Sequence, residues 1–463
     1  MRNYPNVLMI VCDQLRNDCL GYNNVYPVKT PNIDALAAEG MRFTNAFTSI
    51  PLCCPARQSL LTGVRAENFG CLWNLDVANM HGLQPGMLPT WPERMRDIGY
   101  NMAYIGKWDV DKQKSPLDFG YDYYYGMEHY DQFRREKYPN ESKTFDWFGE
   151  VDDIPSEDSR IDVQAEKVIE QLNKYTASGA PWHIRLDYSE PHLPCNPTAE
   201  YAELYRAEDM EPWGSFGDTF EDKPYIQRQQ LVSWDKQDKP WSHWADNVAR
   251  YFATITQIDA AVGRILTALK ESGQEDNTLI IFTADHGDMC GSHGMMDKLY
   301  VMYDDIVRIP TVIKWNGHIV PGSVYEDFAT PTIDLPATLF DILGGDMPPM
   351  QGISLMPIFR GEITRPYRTE VLSSFNGNQF GFYKQRMLRD KKWKYIWNLT
   401  DVDELYDMEN DPWELTNLIH NPEHAELISG MRKRLYKTLE KEEPNAVYHE
   451  VWIKHQLYDG HKL

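Results

Sequence analysis

Val7-Leu8-Met9-Ile10-Val11, followed by Cys12 and Asp13, is a continuous apolar run that ends on a carboxylate. A run of this kind, without alternation, reads as a buried parallel strand with its polar residue at the carboxyl end. The same grammar recurs downstream. Thr30-Pro31 opens a helix over 32–39, with Thr30 as N-cap, Pro31 in the first turn and Gly40 as the stop. A helix over 90–98 leads to a short strand over 101–105, and another over 162–175 leads to a strand over 183–187. The longest helical pattern, 244–272, precedes the apolar run 278–283 and then Asp285. This alternation predicts an α/β fold, a mostly parallel central sheet flanked by helices. Ligands of such sheets sit beyond the strand carboxyl ends, where Asp13 and Asp285 both fall.

Two stretches, 109–160 and 196–243, break the rhythm; polar, aromatic and Pro-containing, they read as insertions over the active face. After about residue 365 the pattern becomes two strand-like runs, 379–389 and 392–398, a turn-rich stretch and a helix over 424–441. The organisation expected is a catalytic α/β domain over 1–364 and a smaller C-terminal α+β subdomain over 365–463. At 463 residues the chain buries a large core without disulfide help. Hydrophobic residues at 42% and charged residues at 25% exclude a disordered or fibrous protein. Forty-six Lys and Arg against 69 Asp and Glu give a net charge of −23, which argues against nucleic acid as a partner. An anionic substrate therefore needs a local positive pocket. No run approaches the roughly 20 apolar residues that span a bilayer, and the N-terminal run is too short for a secretory leader. The expectation is a cytoplasmic protein, with no membrane partner, in which the sequons at Asn140 and Asn398 carry no meaning. Seven cysteines without CxxC or zinc-type spacing read as reduced, mostly buried thiols.

The most specific segment is Cys53-Cys54-Pro55-Ala56-Arg57-Gln58-Ser59-Leu60-Leu61-Thr62-Gly63. It matches the pattern C-x-P-x-R-x-x-x-L-T-G, with Pro55 and Arg57 fixing Cys53 as the first position and Cys54 as a variable one. On this pattern the chain resembles the formylglycine-dependent sulfatases of the alkaline phosphatase superfamily. Further blocks extend the resemblance over nearly the whole chain: Asn6–Arg16, Thr30–Ala37, Gly106-Lys107-Trp108, Pro191–Pro194, Phe282–Gly287, Lys298 with Tyr303–Pro310, and Glu404–Asp407 with Asn410-Asp411-Pro412.

The resemblance implies that a formylglycine-generating enzyme converts Cys53. The hydrated aldehyde carries two hydroxyls on one carbon: one attacks sulfur, and deprotonation of the other expels sulfate. Arg57, one helical turn on, is expected to hold that hydrate. Hard oxygen donors at Asp13, Gln14 and Asp285, with His286 and position 53, suit a divalent cation: calcium in most of the family, with magnesium or manganese as alternatives. Gln14 stands where many members have Asp. Lys107 and Lys298 map onto sulfate-binding lysines, and His192 onto the general acid that protonates the leaving alcohol. His293 allows a functional or a structural reading.

One position departs from the family. Members commonly carry His where this chain has Asp109, which either takes over as a base paired to Lys107 or the metal shell, or has turned away to bind substrate. Among the aromatics, Trp108, Tyr123, Tyr124, Tyr125, Trp213, Trp234, Trp241 and Trp244 include candidates to stack on a ring, and Arg134, Arg135 and Arg228 could read a second anion. The function expected is hydrolysis of a sulfate ester of a small sugar; an oligomer is compatible with the sequence. Two rivals stay open: a phosphonate monoester or phosphodiester hydrolase of the same superfamily, and a non-catalytic binding protein with Cys53 unmodified.

Overall fold

A computed structural model of the chain describes residues 4–75, 82–139, 147–363, 365–379, 381–445 and 452–462. Asn140 and part of the first insertion lie outside them. Eight strands form one sheet: β1 (Asn6–Asp13), β2 (Met41–Ala46), β3 (Asn101–Gly106), β4 (Tyr123–Gly126), β5 (Trp182–Pro191), β6 (Thr278–Ala284), β7 (Thr311–Lys314) and β8 (Ser323–Ala329). Their order is β4-β3-β5-β1-β6-β7-β2-β8. Only β7 runs against its neighbours β6 and β2; every other adjacent pair is parallel. All eight residues of β1 and all seven of β6 are buried, as their unbroken apolar runs require.

Helices flank this sheet in two groups. The long helix Trp241–Glu271 packs with α1 (Pro31–Glu39) and with a helix over Arg160–Ser178, whereas Pro331–Leu343 packs with α2 (Cys53–Thr62) and α3 (Trp91–Asp97). Helix α1 starts where Thr30-Pro31 predicts, but Thr30 is not what caps it. The Thr30 hydroxyl accepts from the Gly21 N–H (2.7 Å) and donates to Asp34 (2.9 Å). The Asn32 and Ile33 amides instead donate to the Asp259 carboxylate (3.0 and 2.7 Å), a cap supplied by the long helix. Burial pushes that carboxyl up to about 6.

A second, antiparallel sheet follows: β9 (Val371–Asn378), β10 (Gly381–Arg389), β11 (Trp393–Asn398) and β12 (Glu404–Asp407), in the order β12-β11-β10-β9, with helix Ala425–Glu442 packed on β10 and β11. The sequence pattern predicts two strands here, and four form. Strand β9 reads VLSSFNGN, rich in residues that strands disfavour, yet it is buried throughout because its partners cover it. Two charged residues of this sheet are fully buried and paired. Arg386 donates to Glu443 at 2.8 and 3.1 Å, and Lys394 lies 2.6 Å from both Glu414 and Asp304. All seven cysteines are buried and none is in a disulfide. Among the described residues no helix is long and apolar enough to cross a membrane.

Position in the sheet sets the cost of truncation. Ile10, fully buried in central β1, should lose about 2–5 kcal/mol as Ile10→Ala. Val324, 40% exposed on edge strand β8, should change by no more than about 0.5 kcal/mol as Val324→Ala. Equilibrium urea unfolding followed by tryptophan fluorescence measures both, and equal losses would contradict this account of the core.

Candidate active site

Helix α2 begins at Cys53 and ends at Gly63, which sits in the left-handed region (φ 75) where its N–H reaches Ser59 O at 2.8 Å. All ten helical residues are buried. Cys53 Sγ lies 3.6 Å from Asp13 Oδ1 at the end of β1 and 3.2 Å from His286 Nε2 just past β6. Burial and the Asp13 charge push its thiol up, but Lys107, Lys298 and His286 outweigh them and hold it well below the ordinary thiol range.

Arg57 lies one turn further along α2 and is completely buried. Its Nη2 donates to Asp13 (3.0 Å), its Nε to Asp285 (3.1 Å), and its Nη1 to Asp187 (2.6 Å) and to the Lys107 carbonyl (3.2 Å). The guanidinium thus joins three adjacent strands, at the end of β1, within β5 and just past β6.

Ligand-type atoms of Asp13, Cys53, Asp285 and His286 all lie within 4.8 Å of one another, and all four residues are buried. His286 Nδ1 faces the Gly287 carbonyl at 2.8 Å, which points Nε2 into the group; burial would lower its pKa, but the Asp285 and Cys53 charges raise it to about 9. Burial and the neighbouring Asp13 push the Asp285 carboxyl up to about 6. Burial would raise Asp13 as well, but Lys107, His192, Arg57 and His286 hold it well below the usual carboxylate range. Gln14 adopts a left-handed backbone (φ 66) on the same turn. Its backbone N–H donates to Asp285 (3.2 Å), its side-chain Nε2 to Asp288 (2.7 Å), and its side-chain Oε1 accepts from Lys298 (2.9 Å).

The remaining candidates converge here too. Lys107 Nζ is 2.7 Å from Asp13 and 3.2 Å from Asp109. Lys298 Nζ is 3.0 Å from Asp297 and 2.9 Å from His192 Nε2. His192 Nδ1 faces the Leu193 carbonyl at 2.6 Å. Asp109 is held in the left-handed region (φ 48) with its side chain 37% exposed. With Cys54, Asn74, Lys107, Tyr124 and Glu128 it lines a cavity of about 430 Å³ beside the site.

Four residues here escape the sequence reading: Asp187, Arg185, Asp288 and Asp297. Asp187 accepts from Arg57, from Tyr104 (2.7 Å) and from Arg185 (2.7 and 2.8 Å), all buried. Its signal was present, since the strand expected over 183–187 ends on it, although β5 continues to Pro191. The other three carry no motif and emerge only when distant segments meet. His293 bonds Asp218 at 2.6 Å and stacks on Tyr303 at 3.9 Å, a structural arrangement. Half of the eight ring-stacking candidates are spent on packing: Trp108, Trp213 and Trp244 are buried, and Trp241 donates to the Met210 carbonyl. Arg134 is tied to Asp152, and Arg228 to the Thr219 and Phe220 carbonyls.

Comparison with known proteins agrees with this geometry. The family profile "Sulfatase" matches residues 5–345, and the profile "N-sulphoglucosamine sulphohydrolase, C-terminal" matches residues 291–441. The uncharacterized sulfatase YidJ of Escherichia coli (strain K12) is 31% identical, over 94% of this chain and 87% of that one. An arylsulfatase of Clostridium perfringens is 29% identical, over 95% of each. The crystal structure of a phosphonate monoester hydrolase from Agrobacterium radiobacter shares the fold, with a TM-score of 0.82, 24% identity, and 95% of this chain and 96% of that one covered. The chain belongs to the sulfatase family and is a sulfuric ester hydrolase.

Proposed function

We propose that the protein removes sulfate from an ester of a small carbohydrate, using a formylglycine made from Cys53 by a formylglycine-generating enzyme. The observation that carries this reading is the Cys53 side chain, buried among Asp13, Asp285 and His286 under the charges of Lys107 and Lys298. As a hydrated aldehyde, this position supplies one hydroxyl to attack sulfur and a second to release sulfate.

The donor set fits a divalent cation that displaces the His286 Nε2 proton: two buried carboxylates and an imidazole whose Nε2 faces them, with Gln14 on the same turn. Calcium is the ion this reading favours, with magnesium and manganese as alternatives. When bound, the cation neutralises sulfate oxygens and orients the nucleophile. Lys107 and Lys298 stabilise charge on the transferring group. His192 is the residue that protonates the leaving oxygen. Arg57 holds Asp13, Asp187 and Asp285 in register, and Asp109 orients Lys107. The carbohydrate assignment is supported by the sulphoglucosamine profile over 291–441. The net charge of −23 disfavours a long sulfated polyanion. Seven unpaired thiols suit the reducing cytoplasm.

Gln14, an uncharged residue where many members have Asp, favours a second reading in which the same groups act on a phosphonate monoester or phosphodiester. Turnover on sulfated sugars, aryl sulfates, phosphonates and phosphodiesters separates the two, and faster cleavage of phosphorus esters would move the assignment. A mass spectrum of Cys53 unconverted in the native host would favour a binding protein instead.

Three outcomes follow. Cys53→Ala should lower sulfate release by at least about a thousandfold, measured as free sulfate after co-production with a formylglycine-generating enzyme. Calcium at about 100 times its dissociation constant should stabilise the fold by about 2.7 kcal/mol. That gain appears as a raised melting temperature, reversed by a chelator and lost in Asp285→Asn; no shift with calcium, magnesium or manganese would remove the metal. Asp109→Ala should lower kcat about tenfold by freeing Lys107, and unchanged turnover would take Asp109 out of the mechanism.

A further inference from the structure

Phe382 is 75% exposed, more than any other large apolar side chain among the described residues. It opens β10, and its ring meets Trp73 with centroids 5.1 Å apart, edge to face. Both rings are tied to the active site by independent links. Trp73 precedes Asn74, whose side-chain oxygen accepts the Cys54 N–H (3.1 Å), and Asn74 lines the cavity with Lys107 and Asp109. Phe382 follows Gly381, whose carbonyl accepts from Tyr300 OH (3.0 Å), and Tyr300 stands two residues past Lys298. Tyr300 OH also accepts from Asn378 N–H (3.2 Å), so one hydroxyl grips both sides of the turn between β9 and β10.

Gly377, near the end of β9, and Gly381, at the start of β10, lie in the left-handed region (φ 95 and 112) that glycine allows. The Trp73 indole N–H is satisfied by the Asn376 carbonyl (3.0 Å), so its ring face carries no unmet polar demand. An apolar ring this exposed contributes little to the core. Standing beside the segments that carry Cys53 and Lys298, it has the chemistry to cover a ring on the far side of the ester oxygen.

We infer that Trp73 and Phe382 form an aromatic platform at the rim of the site, and that it binds the ring of the leaving alcohol through the C–H face of a pyranose or the face of an aryl group. This rests on the sulfate-ester reading above. Phe382 is then a specificity-determining residue supplied by the C-terminal sheet, and the rim favours ring-bearing esters over the bare anion.

The test is calorimetric titration of Cys53→Ala protein, which binds without turnover, with N-acetylglucosamine 6-sulfate, 4-nitrophenyl sulfate and inorganic sulfate. Adding Phe382→Ala should weaken one or both ring esters roughly 3- to 10-fold and leave inorganic sulfate unchanged, and Phe382→Tyr should restore the loss. Which ester weakens identifies the ring. An unchanged melting temperature is expected for this exposed side chain. Equal ring-ester affinities with and without Phe382, a loss shared by inorganic sulfate, or no ring-ester binding to the Phe382-containing protein would overturn the inference. Sulfate release by the protein with Cys53 intact reads the hydrolase assignment separately: none released, with ring binding intact, sinks that assignment and leaves the platform standing.

Discussion

The contact on which the site depends is Arg57 with Asp13, Asp187 and Asp285. Three carboxylates on adjacent parallel strands would repel one another strongly in a buried setting. One planar guanidinium satisfies an oxygen of each, at 2.6 to 3.1 Å, and its fork geometry lets it do so from a single helix position. Helix α2 is thereby clamped to the middle of the sheet, and Cys53, one turn before Arg57, has its position set by helix geometry. The strands fix the aspartates, the aspartates fix the arginine, and the arginine fixes the nucleophile's helix.

The clamp also draws in further cations. Arg57 offers one positive charge to three carboxylates, Arg185 adds a second at Asp187 and Lys107 a third at Asp13. Burial above all keeps the Asp285 carboxyl raised, with His286 Nε2 3.8 Å from it. On the substrate side Lys107 and Lys298 make a small positive spot in a chain of net charge −23. A compact anion that reaches the spot is held by short-range contacts, whereas an extended polyanion would meet repulsion beyond it.

Much of this was legible in the sequence, for identifiable reasons. Strands β1 and β6 are buried on both faces, so their apolar runs announce them, and Asp13 and Asp285 follow by position. Strands β2 and β8 mix polar residues with apolar ones, and β9 is built from Ser, Asn and Gly; neighbours rather than propensity make these strands. Cys53 and Arg57 lie within one helical turn and could be read together. Asp187 and Asp288 join the site through residues a hundred or more positions away, Arg57 for Asp187 and Gln14 for Asp288. The Thr30 cap illustrates the same limit: the signal for a helix start was correct, and the carboxylate that satisfies it came from Asp259.

The loop between β6 and β7, which carries Lys298, leans on residues made much later. Tyr300 is held by the β9–β10 turn, and the Met302 carbonyl accepts from Lys394 on β11 at 3.0 Å. A ribosome delivers the chain from its N-terminus, so the strand pair that supports this loop emerges after the whole central sheet. Assembly of the site is therefore ordered in time: the carboxylate and arginine clamp can close as soon as β6 is made, while the Lys298 side of the site gains its support only when the second sheet folds against it.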